Sequence, residues 1–213
     1  MKVLLISHSD NLGGANKASY RLFKSLKSIL NIEILCRYKS LRDPKINNFL
    51  KPNKIISKIR DRIGNFISKL YINHEKISKK PYMSGNWLYS NWSKKINESK
   101  FDLVNTHWIG SETISIKDLG KIKKPLIVTL HDMWFFCGME HYYNLNQFNM
   151  NFRWMNKKKI KKFYLFDLSK IVFYRKKNLN NISHLVTPSR WLANYCLKSP
   201  ILYKKKITVI PNP

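Results

Sequence analysis

The chain has 213 residues, 44% of them hydrophobic and 13% aromatic, which is enough to bury one core and excludes a disordered polymer. Its formal net charge of +28, from 40 Lys and Arg against 12 Asp and Glu, points to a polyanionic surface such as an acidic membrane. It does not point to nucleic acid, because the excess is mostly Lys and no recognition-helix, zinc-finger or RNP pattern accompanies it.

Residues 2–7 read as a first strand. Its apolar run is too short for a signal peptide, and Asp10 and Gly13-Gly14 follow it with no cleavage-site pattern. The loop from Ser7 to Gly14 leads into a helix marked by Ala15, Ala18, Leu22, Leu26 and Ile29 at spacings of three and four. Strand, Gly-Gly loop and helix in that order make a place where an anion can meet backbone N–H groups, and glycines admit close approach. A tight turn needing positive φ explains Gly13-Gly14 equally well. Residues 31–37 are a second strand.

Residues 39–80 carry twelve basic against three acidic residues. Within them Ile55, Ile59, Ile63, Phe66, Ile67 and Leu70 fit a basic amphipathic helix, whose apolar face is expected to pack on the core although a membrane would also suit it. Residues 85–99, with Trp87, Leu88 and Trp92, are expected to form a helix. Residues 101–106 are a strand closing on His107 and Trp108, and Ile114, Ile116, Leu119 and Ile122 mark a short helix.

Pro125 opens the run Leu126-Ile127-Val128-Thr129-Leu130, a buried parallel strand by its lack of charge, and His131-Asp132 follow at its carboxyl end. Ligands of open α/β sheets bind outside the carboxyl ends of the strands. There a His can donate or accept, and an adjacent carboxylate can orient it or bond a hydroxyl. A capping Asp beside a packing His is the plainer alternative. Two successive strands thus deliver His107 and His131 to one rim.

Residues 139–165 read as a long aromatic and basic loop, and residues 136–180 carry ten basic against two acidic residues. Asp167-Leu168-Ser169 caps a further helix ending at Arg175-Lys176-Lys177. A strand at 184–187 turns through Pro188 and Ser189 into another helix, whose N-terminus beside Arg190 reads as open to an anion. Residues 206–210 are the last strand. Neither a membrane span nor a metal site is indicated: no apolar run nears the roughly 18 residues a span needs. Cys36, Cys137 and Cys196 are too few and too separated for a disulfide framework, which fits a cytoplasmic protein.

Three ordered stretches, Gly13 to Leu22, Thr129 to Tyr142 and Val186 to Ala193, together with Val209-Ile210-Pro211-Asn212-Pro213, resemble the N-terminal half of bacterial family 4 glycosyltransferases of exopolysaccharide and O-antigen assembly. The resemblance spans most of the chain and weakens over residues 39–82. It implies a Rossmann-like α/β domain, a parallel sheet with helices on both faces, as the acceptor-side half of a two-domain GT-B enzyme. It further implies retaining transfer from a nucleotide sugar to a saccharide or lipid-linked acceptor, with the nucleotide sugar a substrate and no cofactor. His131, with Asp132, would face the donor sugar at the catalytic centre. Gly13 and Gly14 would approach the donor phosphates or the acceptor. His107, Trp108, Glu140 and His141 would contact the acceptor, with Ser189 and Arg190 at a further anion-binding turn.

The family's donor domain follows the point where this sequence stops. The expectation is therefore a single domain over residues 1–213, inactive until another chain or segment supplies the donor half. The expected location is cytoplasmic, peripheral on the inner face of the cell membrane. The competing expectation is a non-catalytic module that binds anionic membrane or lipid-linked glycan.

Overall fold

The computed structural model describes residues 1–48, 59, 62–64, 66–67, 82–142 and 168–213. Seven strands are present among them: β1 (Lys2–Ser9), β2 (Asn31–Tyr38), β3 (Ile46–Asn47), β4 (Leu103–Thr106), β5 (Leu126–Thr129), β6 (Ile182–Thr187) and β7 (Ile207–Val209). They form one sheet in the order β3-β2-β1-β4-β5-β6-β7. Every pair is parallel, with Leu5 of β1 opposite both Ile34 of β2 and Asn105 of β4. The order reverses at β1, which places a topological switch point between β1 and β4.

Alternation along β1 decides the layering, because successive side chains of a strand point to opposite faces. Val3 and Leu5 pack with Phe23 of α1 (Gly14–Leu26) and with Ile32 and Ile34 of β2. Leu4 and Ile6 face a larger cluster on the other side. That cluster takes Trp92 and Ile96 from α2 (Trp92–Asn97), and Ile116 and Leu119 from α3 (Ile116–Leu119). It also takes Val172 from α4 (Leu168–Lys177), and Leu192 and Cys196 from α5 (Arg190–Leu197). Helices therefore cover both faces. No helix among the described residues is long and apolar enough to cross a membrane.

Two expectations are corrected. The helix expected over 85–99 begins only at Trp92, so Trp87 and Leu88 lie outside it. The backbone there is drawn into side-chain bonds instead. Asn86 and Asn91 take positive φ, Glu112 accepts from the N–H groups of Trp87 and Leu88, and Asp118 accepts from those of Ser90 and Asn91. A backbone satisfied by carboxylates has no need of a helical ladder.

Of the helix expected to pack its apolar face on the core, Ile59, Ile63 and Phe66 are exposed, at 49%, 45% and 61%, and Ile67 is half-buried. Gly64 is the position turned inward, against the Glu112 side chain. Ile55 and Leu70 of that pattern lie outside the described residues, as do the capping Asp167 and residues 143–165 of the basic aromatic loop. Finally, the edge strand β3 and a 3-10 turn at Trp134–Phe136 were not anticipated, both being too short to carry a period.

Candidate functional site

Because all strands run the same way, everything that follows a strand's carboxyl end lies on one rim. Gly13 and Gly14 follow β1, His107 and Trp108 follow β4, His131 and Asp132 follow β5, and Ser189 and Arg190 follow β6. Backbone bonds beyond the regular ladder fix this rim. His107 N donates to Ile6 O at 2.8 Å, His8 N to Trp108 O at 3.0 Å, and Leu130 N to Val186 O at 2.8 Å.

The expected convergence of the two histidines is realised as a direct contact. His107 Nδ1 lies 3.0 Å from His131 Nε2, with the rings stacked at 5.2 Å. Burial lowers the pKa of His107 from 6.5 to about 3, helped by the neighbouring His131. Burial lowers that of His131 to about 4, opposed by the Asp132 carboxylate. Both rings are therefore neutral near pH 7. His107 Nε2 is buried and has no partner. A bare acceptor is tolerated there better than an orphaned N–H, so the consistent tautomers have His107 Nδ1–H donating to His131 Nε2. That leaves the Nδ1–H of half-buried His131 free to donate to a ligand hydroxyl.

Asp132 does not orient His131. Its Oδ1 accepts from Trp134 N at 3.0 Å, and its Oδ2 accepts from Trp108 Nε1 at 2.8 Å and pairs with His141 Nδ1 at 2.6 Å. His141 Nε2 in turn lies 2.8 Å from Ser84 Oγ, and that oxygen also accepts from Ser111 N at 2.9 Å. With Nδ1–H donated to Asp132, His141 Nε2 accepts the Ser84 proton and every polar atom of this Ser84–His141–Asp132 network is satisfied. Although the order Ser84, His141, Asp132 is that of a hydrolytic triad, Ser84 is 2% exposed and His141 1%. No substrate reaches that hydroxyl, and the network serves to lock the 82–84 segment under the rim. Gly110 lies at its centre, where a Cβ would stand 2.8 Å from Ser84 Oγ and 2.9 Å from the His141 ring.

The remaining expected residues are spread more widely. Glu140 is buried, and its carboxylate accepts from Ser169 Oγ of α4 at 2.7 Å. Ser189 caps α5 itself, its Oγ accepting from Leu192 N at 3.2 Å, so that helix end already holds an acceptor. Arg190 is exposed. Gly13 has φ of 82° and is the N-cap residue of α1, a left-handed conformation that favours glycine. Gly14 has open space where a Cβ would stand.

Below the rim, the wholly buried Lys176 donates to the carbonyls of Gly138 at 2.6 Å and Cys137 at 3.4 Å and also bonds that of Trp134. Its ammonium lies 3.6 Å from the centre of the Trp134 ring. Burial pulls its pKa down to about 7 against the pull of Cys137, Glu140 and Asp132.

Sequence reasoning missed Ser84 and Tyr82. They lie in a stretch without periodicity, and the one local hint was Gly85, where a Cβ would overlap the Trp87 indole.

A model of the family described as Glycosyltransferase Family 4 matches residues 55–213, well over half of the chain. No curated protein matches the sequence.

Proposed function

The chain belongs to glycosyltransferase family 4, and from that membership we propose that its carboxyl-end rim is the acceptor-side wall of an enzyme transferring sugar from a nucleotide-sugar donor. The acceptor is a saccharide or a lipid-linked glycan of bacterial cell-surface polysaccharide, and transfer is retaining. The observation that carries the reading is the neutral His107–His131 pair, held by backbone at the ends of two adjacent strands beside the switch point. A neutral donor such as His131 Nδ1–H suits a sugar hydroxyl, since it binds without demanding a counter-charge.

A leaving diphosphate develops negative charge that fixed cations and donors must stabilise. Those groups we assign to a donor-binding domain facing this rim, in the same polypeptide or another. Asp132 then acts through the Trp108–His141 network as a positioning residue.

The site works at the cytoplasmic face of the membrane, where lipid-linked acceptors are presented. The exposed Ile59, Ile63 and Phe66 and the charge of +28 support peripheral attachment there.

The test is sugar transfer with the chain joined to, or mixed with, a family donor-binding domain. UDP-, GDP- and ADP-sugars are offered with bacterial lipid-linked glycans, and products are read by mass spectrometry. Addition of one sugar to an acceptor is expected. Donor hydrolysis alone, across all donors and acceptors, would refute the reading.

A further inference from the structure

Residues 81–135 carry seven basic against five acidic residues, yet their surface is far from balanced. Glu112, Asp118 and Asp132 are buried and already accept from N–H and hydroxyl groups, and Asp102 accepts from the Lys2 backbone N–H. The lysines stay outside. Three of them, Lys94, Lys121 and Lys123, line an open groove of about 430 Å³ between α2 and the loop from α3 to β5, together with Tyr89, Ser93 and Asn97. The segments that carry it lead into the amino ends of β4 and β5, so it lies toward the opposite end of the sheet from the two histidines.

Asn97 holds the groove in shape. Its Nδ2 donates to Lys121 O at 2.9 Å and its Oδ1 accepts from Lys123 N at 2.9 Å, so the loop with two of the lysines is pinned to the helix with the third. The other polar side chains of the lining are engaged within the protein. Ser93 Oγ donates to Asp118 Oδ1 at 2.8 Å, and the Tyr89 hydroxyl donates to Asn91 Oδ1 at 3.1 Å. Asp118 itself also takes donors from Ser90, Asn91 and Ser115. The Lys121 ammonium lies 5.4 Å from the centre of the Tyr89 ring. Among the described residues, no carboxylate pairs with Lys94, Lys121 or Lys123. A lysine supplies three donors and no acceptor, so the side chains of this groove present cations with nothing to answer them.

We propose that the groove binds a small soluble anion with two adjacent phosphoryl groups, a diphosphate. A sugar or a nucleobase needs acceptors as well as donors, which these side chains do not supply. A single phosphate group carries about −1.5 to −2 near pH 7 and leaves part of the three positive charges unanswered, whereas two joined groups answer them all. Lysine suits such a ligand as a point charge that imposes no planar geometry. An acidic bilayer fits less well, because a flat surface reaches only the lip of a concave site. The proposal holds whether or not the carboxyl-end rim is an acceptor wall.

Isothermal titration calorimetry of the intact chain with inorganic pyrophosphate decides this, at roughly 0.15 M ionic strength, where the screening length is about 8 Å. One saturable site per chain is expected, with orthophosphate binding more weakly. Lys94→Gln, Lys121→Gln and Lys123→Gln should each weaken pyrophosphate binding about fivefold, the upper end for an exposed ion pair. All three side chains are exposed, so their replacement leaves the fold intact. Lys204→Gln removes the same charge from another Lys–Tyr pair, its ammonium 5.4 Å from the Tyr203 ring, and should change nothing.

No saturable binding, or orthophosphate binding as tightly as pyrophosphate, would overturn the proposal. Equal weakening in Lys204→Gln would overturn it too, by showing diffuse attraction to a strongly basic chain. So would binding confined to phosphatidylglycerol vesicles and lost in the three groove variants, which would make the groove a membrane contact. None of these results bears on sugar transfer at the histidine pair, which the mass-spectrometric assay reads separately.

Discussion

At the scale of single residues, the two histidines of the rim divide the work that the sequence offered them jointly. His107 is 3% exposed and packs. His131 is half-buried and keeps a free N–H. His131→Ala, assayed with the chain joined to a family donor-binding domain, should therefore lower kcat at least about tenfold, a decade being ~1.4 kcal/mol of barrier, and leave Tm nearly unchanged. A fall in Tm with activity intact in the folded fraction would make His131 a packing residue.

The pair also predicts acid sensitivity. Burial holds the two pKa values to about 3 and about 4, against 6.5 for a free imidazole. As pH drops below 6.5 the unfolded chain takes up protons that the folded chain refuses, so stability declines through that window and owes nothing to these groups above it. Thermal midpoints measured from pH 7 to pH 5, above the carboxylate range, should fall in the native chain. The slope should be shallower in His107→Gln, and an identical slope in that variant would remove the pair from the explanation.

At the scale of elements, β1 and β2 were legible as short apolar runs, and α1 because its apolar residues recur at spacings of three and four. The site was legible only in outline. His107 and His131 could be assigned to one rim because each follows a strand, but the partner of Asp132 could not be read. His141 lies nine positions on and Trp108 twenty-four back, and no local pattern links them. The start of α2 was misread for a related reason, since its upstream backbone is bonded by Glu112 and Asp118 from a later part of the chain.

Lys176 shows how such a distant anchor carries an element. From α4 it gathers the carbonyls of Trp134, Cys137 and Gly138, and so fixes the turn that follows His131 and Asp132. Lys176→Met leaves those acceptors unpaired. It should destabilise the fold by roughly 2–4 kcal/mol, the range for stranding buried polar groups, with activity lost alongside Tm. Denaturant unfolding with a parallel assay separates this outcome from that of His131→Ala. A neutral effect on the unfolding midpoint would show that the turn holds itself.

At the scale of the molecule, charge and shape act in the same direction. Under the proposed peripheral attachment, the charge of +28 would draw the chain to an acidic surface, and the exposed Ile59, Ile63 and Phe66 would give that surface something to hold. Binding to vesicles containing phosphatidylglycerol should exceed binding to phosphatidylcholine vesicles. It should weaken as salt shortens the screening length to about 3 Å near 1 M. Ile63→Glu with Phe66→Glu should abolish the salt-resistant remainder. Equal sedimentation with both vesicle types would leave the basic residues as composition alone.

The carboxylates of Glu112 and Asp118 also set an order of events in folding. The stretch from Asn86 to Ser93 is held by residues 23 to 28 positions further on, so on its own it has nothing to fold against. The loop must close before these bonds return anything, and such contacts form late. Ser90→Ala should therefore leave the refolding rate almost untouched and appear as faster unfolding, a φ-value near zero. A substantial slowing of refolding would place this stretch in the nucleus. If it does form last, the turn that leads into α2 is completed only after the sheet that carries the histidines has already assembled.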